Sequence, residues 1–96
     1  MIDFHKQSKV KVSLGRVVIT ANANSTLEVT DVDAAIVRHA TGDWGELSED
    51  DIAANERALH DEGRLLSVYR DSSGTKFYVI TEADRSATTV LLPEDY

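Results

Sequence analysis

The chain contains no cysteine, one proline, one methionine and only six aromatic residues among 96: one Trp, three Tyr and two Phe. Without thiols it has neither a disulfide framework nor a thiolate metal site, a composition compatible with a cytoplasmic, bacterial-style protein. No run approaches the ~18 apolar residues of a membrane span. The opening stretch MIDFHKQSKVKV also lacks the apolar centre of a signal peptide, so no membrane association is expected. Cations are scarce as well, with 10 Lys and Arg against 17 Asp and Glu, for a net charge of −7. A surface of that sign repels a phosphate backbone, which disfavours direct nucleic-acid binding.

A length of 96 residues with 42% hydrophobic and 28% charged content fits one small domain spanning residues 1–96, with 1–8 as a loose arm. A chain this short buries only about 60–65% of its unfolded surface, so a deep enclosed catalytic pocket is disfavoured. The acids are concentrated. Asp43, Glu46, Glu49, Asp50, Asp51, Glu56, Asp61 and Glu62 face a single formal cation in that stretch, Arg57. Lys6, Lys9, Lys11 and Arg16 form a small basic counterweight at the start.

Lys9 to Thr20 alternates Val10, Val12 and Leu14 with Lys9, Lys11 and Ser13, then resumes with Val17, Val18 and Ile19 after Gly15. This predicts a strand with a bulge or bend at the glycine. ANANST reads as a loop by its Asn and Ser content. Thr30 is the expected N-cap of a helix from Asp31 to about Ala40, with Val32, Ala35, Ile36 and Ala40 on one face. Thr41-Gly42 ends it, and Trp44 in the following corner reads as a buried plug between two helices. Ser48 and Asp51 resemble a capping box for a second helix, Glu49 to Asp61. That helix turns Ile52, Ala53 and Leu59, with some of Ala54 and Ala58, inward, and Gly63 closes it. Asn55 falls on the same stripe and needs a hydrogen-bond partner if buried, for which backbone in the Asp43-Trp44-Gly45 corner is expected.

RLLSVYRD, KFYVITEAD and ATTVLLP, separated by turn signals, read as a three-stranded meander. Both faces carry apolar residues: helices can cover one, and the other is a candidate dimer surface. The expected fold is therefore α+β in the order β-α-α-β-β-β, an antiparallel sheet with two helices on one face.

Motifs with chemistry are few. His5, His39 and His60 have no metal-ligand spacing, although a site with Asp43 can be drawn, as can a triad of Ser86 with His39 or His60 and an Asp. No nucleophile elbow or phosphate-binding glycine loop occurs. The densest polar cluster, Thr81, Glu82, Asp84, Arg85, Ser86, Thr88 and Thr89, surrounds a hairpin turn. Turn chemistry accounts for it, with Arg85 pairing Glu82 or an acid of the second helix.

GDWGELSEDDIAANERAL, GRLLSVYR and GTKFYVITEADRSATTVLLPEDY together resemble a group of small proteins carried on plasmids, prophages and integrating elements, often labelled plasmid-related proteins or restriction-modification subunits. The resemblance spans about Leu14 to Tyr96, and Ala21 to Val29 departs from that group's helical segment. It implies a mobile-element accessory protein and carries no biochemical activity with it. The expectation is a protein that binds a basic protein surface and inhibits a host DNA-targeting defence complex, CRISPR or restriction, without catalytic residues, cofactor or metal. Its binding residues would be Glu46, Glu49, Asp50, Glu56, Glu82, Asp84 and Arg85, with Trp44 and Asn55 structural. A small hydrolase or modifying enzyme centred on the ITEADRS turn, and a DNA-associated regulator using the basic N-terminal arm, are the alternatives.

Overall fold

Residues 10–96 are described by a computed structural model, so the expected arm, with His5, Lys6 and Lys9, lies outside the described residues. The order is β1 (Arg16–Ile19), α1 (Ala21–Thr26), α2 (Val29–Ala40), α3 (Glu49–Asp61), β2 (Leu65–Arg70), β3 (Lys76–Thr81) and β4 (Ala87–Leu91), with a 3-10 turn at Pro93–Asp95. The meander forms as its alternation requires, β2 pairing antiparallel with β3 and β3 with β4. The sheet as a whole is mixed, because β1 lies beside β4 and runs parallel to it in the order β1-β4-β3-β2. This corrects the all-antiparallel expectation: strand direction depends on the helical crossover between β1 and the meander, which local alternation does not encode.

The long strand expected over Lys9–Thr20 also divides. Lys11 and Val12 donate their amides to the Ala40 carbonyl and cap the C-terminus of α2. Gly15 then bends the chain at φ 62°, and only the segment after it joins the sheet. ANANST is a helix rather than a loop. Thr20 caps it, its Oγ1 accepting from the Ala23 amide at 3.1 Å, and Ala23 is fully buried. Asp95 holds the same corner from the other end of the chain, accepting from Thr20 Oγ1 and Asn22 Nδ2, which keeps its carboxyl below the usual range. These tertiary contacts outweigh the turn preference of Asn and Ser.

Helix α2 begins two residues earlier than expected, after Glu28 rather than Thr30, and Asp31 instead accepts from the Ser72 amide in the β2–β3 turn. Val32 and Ala35 of α2 join Ala23, Leu27, Tyr69, Phe77, Val79, Val90 and Leu92 in one core cluster. A second cluster, Val12, Trp44, Ala58 and Leu65, lies under α3, with Leu59 against it. The inward face of α3 is narrower than expected. Only Asn55 and Ala58 are buried, whereas Ile52, Ala53 and Ala54 are exposed. Glu62, not Gly63, takes the left-handed C-cap position; a Cβ at Gly63 would stand 3.0 Å from that of Ala58, a tight approach.

Gly15 combines a left-handed conformation with contact: a Cβ would run into the Arg85 and Ser86 backbone. Gly15→Ala is expected to destabilise the fold by about 2–4 kcal/mol in urea titrations. Gly74→Ala, where φ is 84° but nothing lies within 4 Å, should cost only about 1 kcal/mol.

Candidate functional site

The GDWG stretch joins α2 and α3 to the outer edge of β2. Arg38, in the last turn of α2, grips Asp43 through Nε at 2.7 Å and Nη2 at 3.1 Å, lowering the pKa of the Asp43 carboxyl. Its guanidinium also lies 4.7 Å over the Tyr69 ring. The Tyr69 hydroxyl donates to the Asp43 carbonyl at 2.5 Å, and burial raises that phenol to a pKa of about 12. Val68 then pairs with the corner as a strand would, its amide donating to the Trp44 carbonyl and its carbonyl accepting from the Glu46 amide. Trp44 is buried, at 4% exposure, as expected. Its ring meets His39 edge-on at 5.6 Å, and Nε1 donates to Glu56 of α3 at 2.9 Å. Asn55 is buried too, but its partner is not the corner. Nδ2 donates to the Leu66 carbonyl at 2.6 Å and Oδ1 accepts from the Leu66 amide at 3.1 Å, so the side chain acts as one more pairing residue beside β2.

Beneath the corner lies a polar thread that sequence reading did not reveal. His39 is fully buried, with Nδ1 2.6 Å from Ser67 Oγ and Nε2 2.9 Å from Thr81 Oγ1. Thr81 Oγ1 lies 2.7 Å from Thr88 Oγ1, which donates to the Leu14 carbonyl at 2.7 Å. That carbonyl can only accept, which orders the protons: Thr88 donates to it, Thr81 donates to Thr88, and His39 Nε2–H donates to Thr81. Nδ1 is left as the acceptor for the Ser67 hydroxyl. Burial is the main cause that lowers the His39 pKa to about 4, with the Arg85 charge adding to it. Both ring nitrogens are committed, so His39 has no free nitrogen to hold a metal or to serve Ser86 as a base. No group of three or more His, Asp or Glu poised for a metal occurs among the described residues.

The remaining expected binding residues separate into two sets. At the hairpin turn, Arg85 adopts φ 63° and donates to the Ala58 and Gly63 carbonyls at 2.9 and 2.6 Å, closing the C-terminus of α3. It also reaches the Glu82 and Ala83 carbonyls, so the expected pairing with a Glu82 or α3 carboxylate is replaced by backbone capping. Glu82 faces Arg64 at 3.8 Å, and Asp84 accepts from the Ser86 amide. The turn cluster thus serves the fold. On and beside α3, Glu46 pairs with Arg70 at 3.1 Å, and Glu56 holds Trp44. Glu49 and Asp50 are exposed in the first turn, and no side-chain hydrogen bond or ion pair involves them among the described residues.

Comparisons with known proteins give no match. No protein-family model, curated protein or solved structure is similar to the chain. No helix of the described residues is long and apolar enough to cross a membrane.

Two predictions follow from the buried corner. Trp44→Ala empties the joint and is expected to destabilise by about 3–5 kcal/mol, a large part of a small domain's stability, as a lowered melting temperature would report. His39, neutral when folded with a pKa of about 4, has an unfolded-state value of 6.5, so the unfolded chain binds the proton first. Its contribution is therefore complete above the unfolded value and is lost as pH falls toward the folded one. Between pH 7.5 and pH 5 the loss is about 2 kcal/mol. His39→Gln should flatten that part of the urea-midpoint profile, and an identical slope in the variant would show that His39 does not set it.

Proposed function

We propose that this protein is a non-enzymatic binder that acts through the outer face of α3 on a basic protein surface. The observation that carries this reading is the narrowness of the helix's buried stripe. Asn55 and Ala58 are buried, while Glu49, Asp50, Asp51, Ala53, Ala54, Asp61 and Glu62 stand exposed. The acids cluster at the two ends of this face, with the small Ala53 and Ala54 and one cation, Arg57, between them, so it allows close approach to a partner backbone while presenting net negative charge, and complementarity of sign steers and specifies such an encounter. The arrangement suits occupation of a positively charged nucleic-acid channel. With the likeness of its motifs to plasmid- and prophage-borne proteins, this points to an accessory of a mobile element that blocks a host DNA-targeting defence complex of CRISPR or restriction type. An enzyme centred on the ITEADRS turn is less well supported, since Arg85 and Asp84 are spent on backbone groups.

Affinity capture from a bacterial host, with the captured complex then purified and assayed for DNA cleavage, tests the proposal directly. Cleavage should fall when the protein is added. Reversing Glu49, Asp50 and Asp61 to Lys should weaken partner binding by about tenfold or more at low salt, where such forces are strongest. The fold should survive, with a dipole penalty of about 0.3–1 kcal/mol for each of the two first-turn changes. Arg85→Ala should lower stability yet leave affinity within about twofold, because its bonds are internal. Affinity that withstands the helix reversals at low salt would move the binding surface elsewhere.

A further inference from the structure

The two edges of the sheet are treated differently. Along β2 the outward backbone groups of two residues are occupied: Asn55 takes both those of Leu66, and the corner takes both those of Val68. Along β1 the amides of Arg16 and Thr20 donate to the Ser86 and Val90 carbonyls on the β4 side, so strand alternation turns those of Val17 and Ile19 outward. Nothing among the described residues pairs with that edge, as β1 ends the strand order. An unpaired edge is a template for another strand.

Beside this edge, between β1 and the first two turns of α2, opens a cleft of about 210 Å³ with walls that include Val17, Ile19, Leu27, Val29, Val32 and Ile36. Val17, Ile19 and Val29 are 45%, 37% and 65% exposed, so apolar surface gathers here. It does not gather on the open face of the meander, where Val68, Ile80 and Leu91 are buried.

We propose that β1 and this cleft form a strand-addition site for an extended segment of a partner protein. The segment has apolar side chains at alternate positions and a Lys or Arg on the same face two residues further on. Main-chain pairing with Val17 and Ile19 supplies the register, and the alternate side chains enter the cleft. Charge selects the occupant. The cleft wall carries one charged residue, Asp33, and the exposed Glu28 lies on the rim between Leu27 and Val29. Arg16 alternates with Val17 and so faces the opposite side of the sheet. A second copy of this chain would bring the same acids and a further net charge of −7 to the contact. A cation-bearing segment instead finds complementary charge. The site lies at the sheet edge remote from α3 and stands independently of the acidic-helix reading.

The test uses the full chain, ¹⁵N-labelled, titrated with the capped peptide Thr-Val-Thr-Val-Thr-Lys and watched by NMR and amide hydrogen exchange. Saturable shifts are expected at Val17, Ile19, Leu27, Val29 and Asp33, with the Val17 and Ile19 amides slowed in exchange by the peptide. A peptide ending in Glu should bind at least about threefold more weakly, and Val17→Lys, which alters an exposed position, should abolish the shifts while keeping the spectrum of a folded chain. No shifts, or shifts centred elsewhere, overturn the proposal. So does slow exchange at Val17 and Ile19 before peptide is added. In a monomer by sedimentation this would assign the cleft to the chain's own first nine residues, and in a dimer to a second copy.

Discussion

One buried, neutral imidazole ties α2 to the sheet. His39 can be buried only if both nitrogens find partners, since an orphaned buried polar group costs about 1–3 kcal/mol. Its partners come from β2 and β3, and through Thr88 the thread continues to β4 and to the chain before β1. The helix can neither rotate about its axis nor slide along the sheet without breaking several of these bonds at once. With α2 held, Arg38 in its last turn reaches Asp43 and Tyr69, and Trp44 is carried onto the edge of the imidazole. Through Glu56 and Asn55 the same constraint positions α3, and with it the acidic face.

What was legible in the residues is what depends on neighbours in sequence. The meander could be read because Leu65, Ser67 and Tyr69 alternate with Leu66 and Val68 and the turns carry Gly, Ser and Asp. The two long helices could be read because apolar spacing, the Ser48 cap and acidic first turns agree. Trp44 could be assigned to the interior because a lone large aromatic beside a glycine-bounded corner has few other places to go. The misreadings share a cause. ANANST looked like a loop until Thr20, Ala23 and Asp95 met, and Asp95 is separated from Thr20 by nearly the whole chain. The direction of β1, the partner of Asn55 and the task of Arg85 are equally non-local, each fixed by an element distant in sequence.

The candidate site was legible as charge and not as geometry. Counting carboxylates found the acidic stretch but treated Glu46, Glu49, Asp50 and Glu56 as equivalent. Two of these are tied, Glu46 to Arg70 across an exposed pair and Glu56 to the indole nitrogen of Trp44. A carboxylate that holds a tryptophan in place is a poor contact residue, because turning it toward a partner would leave the indole donor unpaired. Charge at the hairpin turn was misassigned for a related reason: a guanidinium offers five donors, and four neighbouring carbonyl groups compete for them more effectively than a solvated carboxylate.

The unequal edges of the sheet bear on how each would meet another strand. At β2 the solution is steric, for an asparagine and a tryptophan-bearing corner complete the ladder at Leu66 and Val68 by hydrogen bonds. At β1 the outward backbone has no partner among the described residues and the flanking side chains Val17, Ile19 and Val29 are apolar, a combination that invites edge-to-edge association. Charge is the remaining safeguard, carried locally by Asp33 and Glu28 and globally by the excess of acids. Electrostatic protection differs from steric protection in being conditional. It repels a like-charged copy but not a cationic strand, and salt weakens it over distances beyond about 8–10 Å. An edge guarded by charge alone would sort strands by their sign, whereas one completed by side chains offers no ladder at the positions they fill.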